Sequence, residues 1–307
     1  MKKAIITGST GLVGLAVAKY LSKKSIDVLC LGRNKLNDIE IKNKFGSGNI
    51  TYLCINMEDI LSLHEEINKI GWLPSDSCVF YNFAWGGIGK LTDGDFQAQF
   101  NNSIYCSNAV LSAKKLGCSK FVNVGTLEET LAEHFMRNAK KNTTYISSQI
   151  NYVISKLASR DMCKMVSYLE KIDYIHTRLS VPLDPHLNNG GYISSVLAKI
   201  YEDKAYDKPK NTQLFDIILI EDVAKAYYLI GIKGKNKADY FIGTSQPKTL
   251  SQYFELFEQA KCGEINIKSD SNYTTSNGIF NIDSLVNDTG FILSNNFEDI
   301  IKTLDKS

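Results

Sequence analysis

Residues 151–156 read NYVISK and place Tyr152 four positions before Lys156. On a helix, positions i and i+4 lie on one face with Cβ atoms about 5–6 Å apart, so the two side chains can meet. A free phenol has a pKa of about 10 and is a poor acid or base at neutral pH, but an adjacent ammonium favours the phenolate. The pair therefore has the chemistry of a proton-transfer device. The alternative is a pair without function on a solvated helix face, and the rest of the chain decides between the two.

A glycine-rich segment, TGSTGLVG (residues 7–14), directly follows the first apolar run of the chain. The spacing of its three glycines suits a strand-to-helix turn whose backbone N–H groups approach a pyrophosphate, and the N-terminus of the next helix favours that charge. A helix predicted over about residues 12–24 supplies the context that such a loop requires. The segment predicts a dinucleotide-binding loop. Its contact residues are Gly8, Ser9, Thr10, Gly11, Leu12, Val13 and Gly14.

The end of the second apolar run distinguishes the two nicotinamide dinucleotides. An acidic side chain there binds the ribose hydroxyls of NAD, whereas an arginine accommodates the 2′-phosphate of NADP. The chain reads LCLGRN, with Gly32 in place of an acid and Arg33 next. The planar fork of arginine suits a phosphate, so NADP(H) is favoured and NAD(H) is the alternative. After the third run, Asn56 and Met57 are placed to flank an adenine, or are ordinary loop residues.

The composition excludes several classes of function. The 307 residues are 44% hydrophobic and 22% charged, which is typical of a globular protein with one large or two modest domains. A net charge of +2 without a long run of like charges argues against nucleic-acid and membrane-surface binding. The first residues lack a signal-peptide core, and no apolar stretch reaches about 18 residues, so a cytoplasmic protein is expected. Seven cysteines without metal-ligand spacing predict reduced thiols and no metal site.

Short apolar runs alternate with helical patterns along the first part of the chain. Runs that are apolar nearly throughout suit strands buried on both faces, so their alternation with helices predicts a parallel sheet covered by helices. The runs are residues 4–7, 28–31, 50–55, 78–84, 120–125 and 173–179. The sequence predicts an α/β fold, with a Rossmann-type doubly wound domain over residues 1–175 and a smaller, mainly substrate-binding cap over 176–307. Segments at about 176–182 and 214–245 are expected to return to the first domain.

The order of these segments resembles the extended short-chain dehydrogenase/reductase family over about residues 1–230. The matching motifs are the glycine loop, NFAWGG after the fourth predicted strand, Thr126 just past the fifth, and Tyr152 with Lys156 on the next helix. The resemblance implies that Thr126 orients a substrate carbonyl or alcohol and that Tyr152 exchanges its proton. It also implies that Lys156 lowers the tyrosine pKa and binds the nicotinamide ribose.

The same resemblance assigns further contacts. Those with the cofactor are Phe83, Ala84, Tyr152 and Lys156. Those with the substrate are Trp85, Thr126, Arg178 and His186. Many nucleotide-sugar members carry Arg-x-x-Asn-Val-Tyr-Gly-Pro where this chain reads RLSVPLDP, so Arg178 is kept but Val181 replaces the Asn. Phe215 likewise replaces an arginine, and two groups that often meet a substrate diphosphate are therefore absent.

The residue after Thr126 separates the reactions of the resembled family. Its dehydratases carry Thr-Asp-Glu, whereas Leu127 stands at the Asp position here, so loss of water is disfavoured. Epimerase-reductases of the fucose-synthase type pair a Cys at this same position with a His. His186 is present, but Leu127 leaves that two-base site incomplete. A simple reductase needs only the three catalytic residues and a reduced cofactor.

The resemblance therefore favours NADPH-dependent reduction of a keto group, above all the 4-keto group of a nucleotide-linked deoxysugar in surface polysaccharide biosynthesis. An NAD-dependent nucleotide-sugar 4-epimerase is the alternative. A non-catalytic dinucleotide sensor is less favoured, because it would need none of the three catalytic residues. The helices predicted over about 96–116 and 150–170 are apolar around much of their circumference, and in the resembled family they pair with their copies, so a homodimer is expected.

Overall fold

The computed structural model describes residues 1–75, 77–87, 95–138, 149–187, 190–210, 212–263, 278–294 and 297. The strands are β1 (Lys3–Thr7), β2 (Asp27–Gly32), β3 (Ile50–Cys54), β4 (Cys78–Asn82), β5 (Lys120–Thr126), β6 (Asp173–Leu179), β7 (Val181–Leu183), β8 (Leu214–Phe215), β9 (Ile217–Leu219), β10 (Asp239–Ile242) and β11 (Lys248–Thr249). The α-helices are α1 (Leu12–Lys23), α2 (Asp38–Phe45), α3 (Leu63–Ile70), α4 (Phe96–Lys115), α5 (Leu127–Asn138), α6 (Ile150–Glu170), α7 (Tyr192–Tyr201), α8 (Ile220–Lys233), α9 (Leu250–Lys261) and α10 (Asp283–Thr289). A 3₁₀ helix spans Met57–Ser62.

A seven-stranded parallel sheet forms the centre of the molecule. Its strand order is β10-β6-β5-β4-β1-β2-β3, so β1 lies between β2 and β4. The direction in which the sheet grows reverses at β1, and open parallel sheets bind ligands at such a switch point, beyond the carboxyl ends of the strands. The predicted α/β fold of the Rossmann type is confirmed.

The two faces of the sheet bury different side chains of the same strand. Ala4 and Ile6 of β1 belong to a core shared with Val17 of α1 and Val223 of α8. Ile5, between them, belongs to the opposite core, which includes Val110 of α4. Because successive side chains of a strand point to opposite faces, a strand covered on both sides has to be apolar throughout, as the sequence of β1 is.

A separate apolar core lies in the second half of the chain. It joins α7 and α9 with the short strand pair β7–β9, through side chains such as Leu197, Ile217 and Phe257. In this half, β10 joins the main sheet beside β6, and α8 packs against α1. The division into a dinucleotide-binding domain and a cap stays a prediction.

One predicted strand ends earlier than expected. The apolar run at 78–84 predicted a strand to its end, but β4 stops at Asn82. The chain leaves the sheet there: the backbone N–H of Ala84 donates to the side-chain Oγ1 of Thr7 in β1 at 3.1 Å and not to a backbone carbonyl of that strand. Phe83 and Ala84 thus lie at the switch point. Within the described residues, no helix is both long and apolar enough to cross a membrane.

Candidate active site

Helix α6 carries the tyrosine and the lysine, as the i,i+4 spacing predicts. Tyr152 lies in the first turn of α6, and Lys156 lies one turn later with only 4% of its surface exposed. Lys156 Nζ donates to the carbonyl oxygen of Val124 in β5 at 2.9 Å and lies 5.8 Å from the centre of the Tyr152 ring. The ammonium is therefore held between the helix and the carboxyl end of a central strand.

Thr126 is the last residue of β5, and α5 begins at the next position. Its backbone N–H donates to Glu129 Oε1 at 3.0 Å, and its hydroxyl oxygen accepts a 3.4 Å hydrogen bond from the N–H of Glu128. The side chain of Thr126 is also hydrogen-bonded to Tyr152. The fold thus brings Thr126, at the end of β5, together with Tyr152 and Lys156 of α6.

The surroundings of Tyr152 keep its proton on the phenol. Burial raises the pKa of Tyr152 well above its usual range, and the negative charges of Glu129 and Glu128 raise it further, while the hydrogen bond with Thr126 lowers it. Burial lowers the pKa of Lys156. The direction for Tyr152 is opposite to the one expected from a neighbouring ammonium, because desolvation of the phenolate outweighs the other influences. In this state the phenol is a proton donor.

A buried acid and histidine support the turn that carries Thr126. Glu129 is fully buried, and its Oε2 lies 2.8 Å from Nε2 of His176 in β6. A Cβ atom on Gly125 would collide with both side chains, so only glycine fits there. The sequence analysis did not identify this pair. The residues are 47 positions apart, and no local pattern relates them.

The glycine loop packs closely against the backbone around it. Gly8 has a φ of +63°, and a Cβ atom there would lie 2.8 Å from the backbone nitrogen of Ala84. A Cβ atom on Gly14 would collide with the carbonyl oxygen of Gly8. Helix α1 begins with no side-chain cap and with no acidic residue in its first turn. Its first N–H groups therefore suit an anion, and the loop fits the pyrophosphate of a dinucleotide.

A cavity of about 360 Å³ lies beside this loop at the switch point. The predicted cofactor residues that line it are Gly8, Thr10, Gly11, Arg33, Asn56, Met57, Phe83 and Ala84. Three further predicted cofactor residues, Ser9, Leu12 and Val13, support the loop from the side of the core. Ser9 is fully buried and its hydroxyl donates to the Leu31 carbonyl at 2.9 Å, while Leu12 and Val13 pack on the core under α1. All of these assignments to the cofactor stay predictions.

The absence of an acidic side chain at position 32 has a steric explanation. A Cβ atom on Gly32 would collide with the hydroxyl of Tyr52, which donates to the Asn34 carbonyl at 2.6 Å. A side chain at this position would require the Tyr52 ring to move and to give up that hydrogen bond. Arg33 is exposed at the edge of the cavity.

Two amides of α4 hold the segment after β4. Asn102 Oδ1 accepts the N–H of Gly86 at 2.8 Å, and its Nδ2 donates to the carbonyl of the same residue at 3.1 Å. Gln99 Oε1 accepts the indole N–H of Trp85 at 2.8 Å. Sequence reasoning missed Gln99. The only signal was a pair of amides three positions apart on a helix, which is common on solvated faces.

Arg178 and His186 have surroundings of a different kind. Arg178 lines a cleft of about 410 Å³, where its guanidinium donates to Glu133 at 2.6 Å and to Asp239 at 2.7 Å. His186 is exposed in the turn after β7, and its backbone N–H donates to Asp184 Oδ1 at 3.1 Å. The carboxylates already satisfy Arg178, so a substrate contact would require it to change partners. Both assignments stay predictions.

Comparison with known proteins agrees with this geometry. The sequence model of the NAD dependent epimerase/dehydratase family matches residues 4–243. No curated protein sequence matches the chain significantly.

Several solved structures share the fold at low identity. A UDP-glucose 4-epimerase from Thermotoga maritima, solved with UDP-glucose, is 15% identical with a TM-score of 0.71, and the match covers 99% of this chain and 97% of that one. A dTDP-glucose 4,6-dehydratase from Bacillus anthracis, solved with NAD, is 17% identical with a TM-score of 0.71, covering 99% and 96%. A UDP-glucuronic acid 4-epimerase from Bacillus cereus, also with NAD, is 14% identical with a TM-score of 0.69, covering 98% and 94%.

Proposed function

Because the chain belongs to the NAD dependent epimerase/dehydratase family, we propose that it uses NADPH to reduce a keto group, namely the 4-keto group of a nucleotide-linked deoxysugar for surface polysaccharide. It is an NAD(P)-dependent enzyme of the extended short-chain dehydrogenase/reductase type, and its cofactor is a nicotinamide dinucleotide. The residues around the glycine loop fit that cofactor. When bound, the reduced form supplies a hydride.

The observation that carries the proposal is that the site has the protonated phenol of Tyr152 but neither an acid nor a base at position 127, directly after Thr126. Reduction of a ketone needs one proton. A free phenol, with a pKa of about 10, already holds its proton at neutral pH, and burial raises the pKa of Tyr152 further. Leu127, where a dehydratase has its Asp, is 5% exposed and packs with Phe241 and Phe280. Glu129 is committed to His176 and to the backbone of Thr126.

Each catalytic side chain then has a defined task. The hydroxyl of Thr126 donates a hydrogen bond to the substrate carbonyl oxygen and orients it. The phenol of Tyr152 gives its proton to that oxygen as negative charge develops there. The buried ammonium of Lys156 stabilises the phenolate that remains, and its effect is strong because only 4% of Lys156 is exposed to solvent.

The test is to supply NADPH with 4-keto-6-deoxyhexoses linked to different nucleoside diphosphates. We expect the near-ultraviolet absorbance of NADPH to fall in proportion to the deoxysugar formed. A 4-epimerase is the second candidate, because two of the three compared structures are 4-epimerases. It would interconvert nucleotide sugars with no net change in that absorbance and with NAD retained through purification. That result would contradict the reductase proposal.

The cofactor preference depends on Arg33. We expect the protein to bind NADP(H) more tightly than NAD(H), and Arg33→Ala to weaken NADPH binding by roughly 10- to 100-fold, the range of a charged hydrogen bond, with little effect on NADH. Lys35→Ala is the matched control, because Lys35 is also exposed two residues further on. Calorimetric titration of the three proteins with NADPH and with NADH checks this. Equal dissociation constants for NADPH and NADH in the unmodified protein would refute the preference.

We also propose that the chain forms a homodimer through α4 and α6. The two helices pack side by side, and Ser103 Oγ of α4 donates to the Ser155 carbonyl of α6 at 2.6 Å. Large apolar side chains stay exposed on both. They are Phe96, Phe100, Ile104 and Leu111 on α4, and Ile154, Met165, Tyr168 and Leu169 on α6. A contiguous apolar surface of this kind marks an interface, and a two-fold axis would pair it with its own copy.

The double variant Ile104→Glu/Ile154→Glu should be monomeric, because the partner surface would have to bury unpaired carboxylates. Ile39→Glu is the control, since Ile39 is 72% exposed on α2, away from this surface. Light scattering at micromolar concentration measures the mass. A monomer in the unmodified protein would refute the proposed dimer.

A further inference from the structure

Trp85 lies between the dinucleotide cavity and the catalytic residues. It lines the cavity at the switch point. Its ring meets the ring of Tyr152 edge to face, with the centres 5.8 Å apart, and Lys156 Nζ lies 3.8 Å from the centre of the indole. Its N–H donates to Gln99, which is 2% exposed. The indole therefore has a defined position that covers one side of the buried ammonium.

The indole is part of the cavity wall, beside Gly86, Asn102 and Tyr105. The glycine loop and Arg33 mark the part that fits a pyrophosphate and an adenosine, and the described lining continues through Phe83 and Ala84 to Trp85. Thr126, Tyr152 and Lys156 do not belong to that described lining. Hydride transfer requires the reacting atoms to come within about 3–3.5 Å of each other, so the nicotinamide has to lie next to the substrate at Tyr152. The indole lies against both Lys156, which is expected to hold the nicotinamide ribose, and Tyr152, so it takes the place next to these side chains that the nicotinamide half needs.

We infer that Trp85 is a gating residue for the nicotinamide half of the cofactor. In the closed arrangement, the indole covers the ammonium of Lys156 and packs against the ring of Tyr152. Binding of the nicotinamide half displaces it from both. The free energy of the closed contacts is then subtracted from the affinity for the whole dinucleotide, because only the open arrangement is competent to bind. This inference rests on the proposed function in one respect, that the nicotinamide reaches Tyr152.

The inference is tested by whether a substitution of Trp85 tightens or weakens binding of the dinucleotide. Dissociation constants are measured by calorimetry for NADP⁺ and for 2′-phospho-ADP-ribose, which lacks the nicotinamide, and in parallel for NAD⁺ and ADP-ribose. Trp85→Ala should tighten binding of the complete dinucleotides by about 2- to 30-fold, the range of a cation–π contact converted at tenfold per 1.4 kcal/mol. The two fragments should bind as before. Weaker binding of the dinucleotides by Trp85→Ala, or an equal change for fragments and dinucleotides, would overturn the inference.

A second variant leaves the indole in place and removes its partner. Gln99→Leu loses the hydrogen bond that orients Trp85, so it should tighten the dinucleotides in the same direction and by less. Trp72→Phe is the matched control. Trp72 is the other of the two tryptophans, and its N–H donates to Asp27 at 3.0 Å. The Trp72→Phe variant should leave all four dissociation constants unchanged. If Gln99→Leu does not bind the dinucleotides more tightly than the unmodified protein, that result counts against the gate, even if Trp85→Ala fails to fold.

The Trp72→Phe protein also gives a direct reading, because Trp85 is then its only tryptophan. Its emission should change on saturation with NADP⁺ and stay constant with 2′-phospho-ADP-ribose. Constant emission with both ligands, at concentrations where calorimetry shows both bound, would overturn the inference. These measurements need no turnover. A failure of the proposed reduction would appear as unconsumed NADPH, whereas a failure of the gate would appear only in binding and emission.

Discussion

Tyr152→Phe is expected to lower the rate of hydride transfer by about 10²–10⁴-fold, the usual contribution of a positioned general acid. The substitution removes only the oxygen that carries the proton, and the ring can still pack against Trp85. The hydrogen bond with Thr126 is lost, at a cost of about 1 kcal/mol in the free energy of unfolding. The fold and the affinity for NADPH should therefore be nearly unchanged.

Single-turnover reduction with NADPH already bound is the appropriate measurement, because it separates the chemical step from binding and release. Tyr168→Phe is the control, since Tyr168 lies on the same helix, loses only its hydroxyl, keeps its ring on the proposed dimer surface, and should react at the unmodified rate. Transfer at the unmodified rate in the Tyr152→Phe protein would remove Tyr152 from the mechanism. It would also remove most of the case for a reductase.

Lys156→Met is expected to lower turnover by roughly 10²–10³-fold, the size found for the loss of one preorganised electrostatic group. Methionine has a similar length but no charge, so the phenolate formed at Tyr152 would lose its stabilising ammonium. Affinity for the cofactor should fall as well, because the ammonium is expected to hold the nicotinamide ribose. Release of the indole of Trp85 from its contact with Lys156 offsets part of that fall.

The fold should tolerate this change at neutral pH. Burial lowers the pKa of Lys156, so the unfolded chain binds this proton more tightly than the folded one. The contribution of Lys156 to the free energy of unfolding is therefore unfavourable below the folded pKa and improves as the pH rises toward the unfolded value of about 10.4.

Thermal unfolding across that alkaline range measures the effect, and the Met variant should lack this component of the pH dependence. Lys164→Met, on the exposed face of the same helix, is the control and should keep both activity and pH dependence. A fully active Lys156→Met protein would contradict the assigned role.

The sequence by itself determined what depends on near neighbours in the chain. Tyr152 and Lys156 share a face of α6 because helix geometry brings positions i and i+4 together. Gly8 and Gly14 identify the turn because Gly8 has a φ of +63° and a Cβ atom on Gly14 would strike the carbonyl oxygen of Gly8. Strands such as β1 were recognisable because burial on both faces requires apolar residues at every position.

Only the tertiary structure decided which distant side chains meet. Gln99 of α4 accepts the indole N–H of Trp85, which lies in the loop after β4. Glu129 contacts His176, which is 47 positions away in the sequence. Both pairs arise from packing that no local periodicity encodes. Arg178 was assigned to the substrate from a motif, whereas the fold places Glu133 and Asp239 around it. The proton on Tyr152 is the clearest case. The neighbouring lysine predicted a lowered pKa, but the pKa is raised, because the desolvation of a phenol is set by everything that surrounds it and not by one neighbour on its helix.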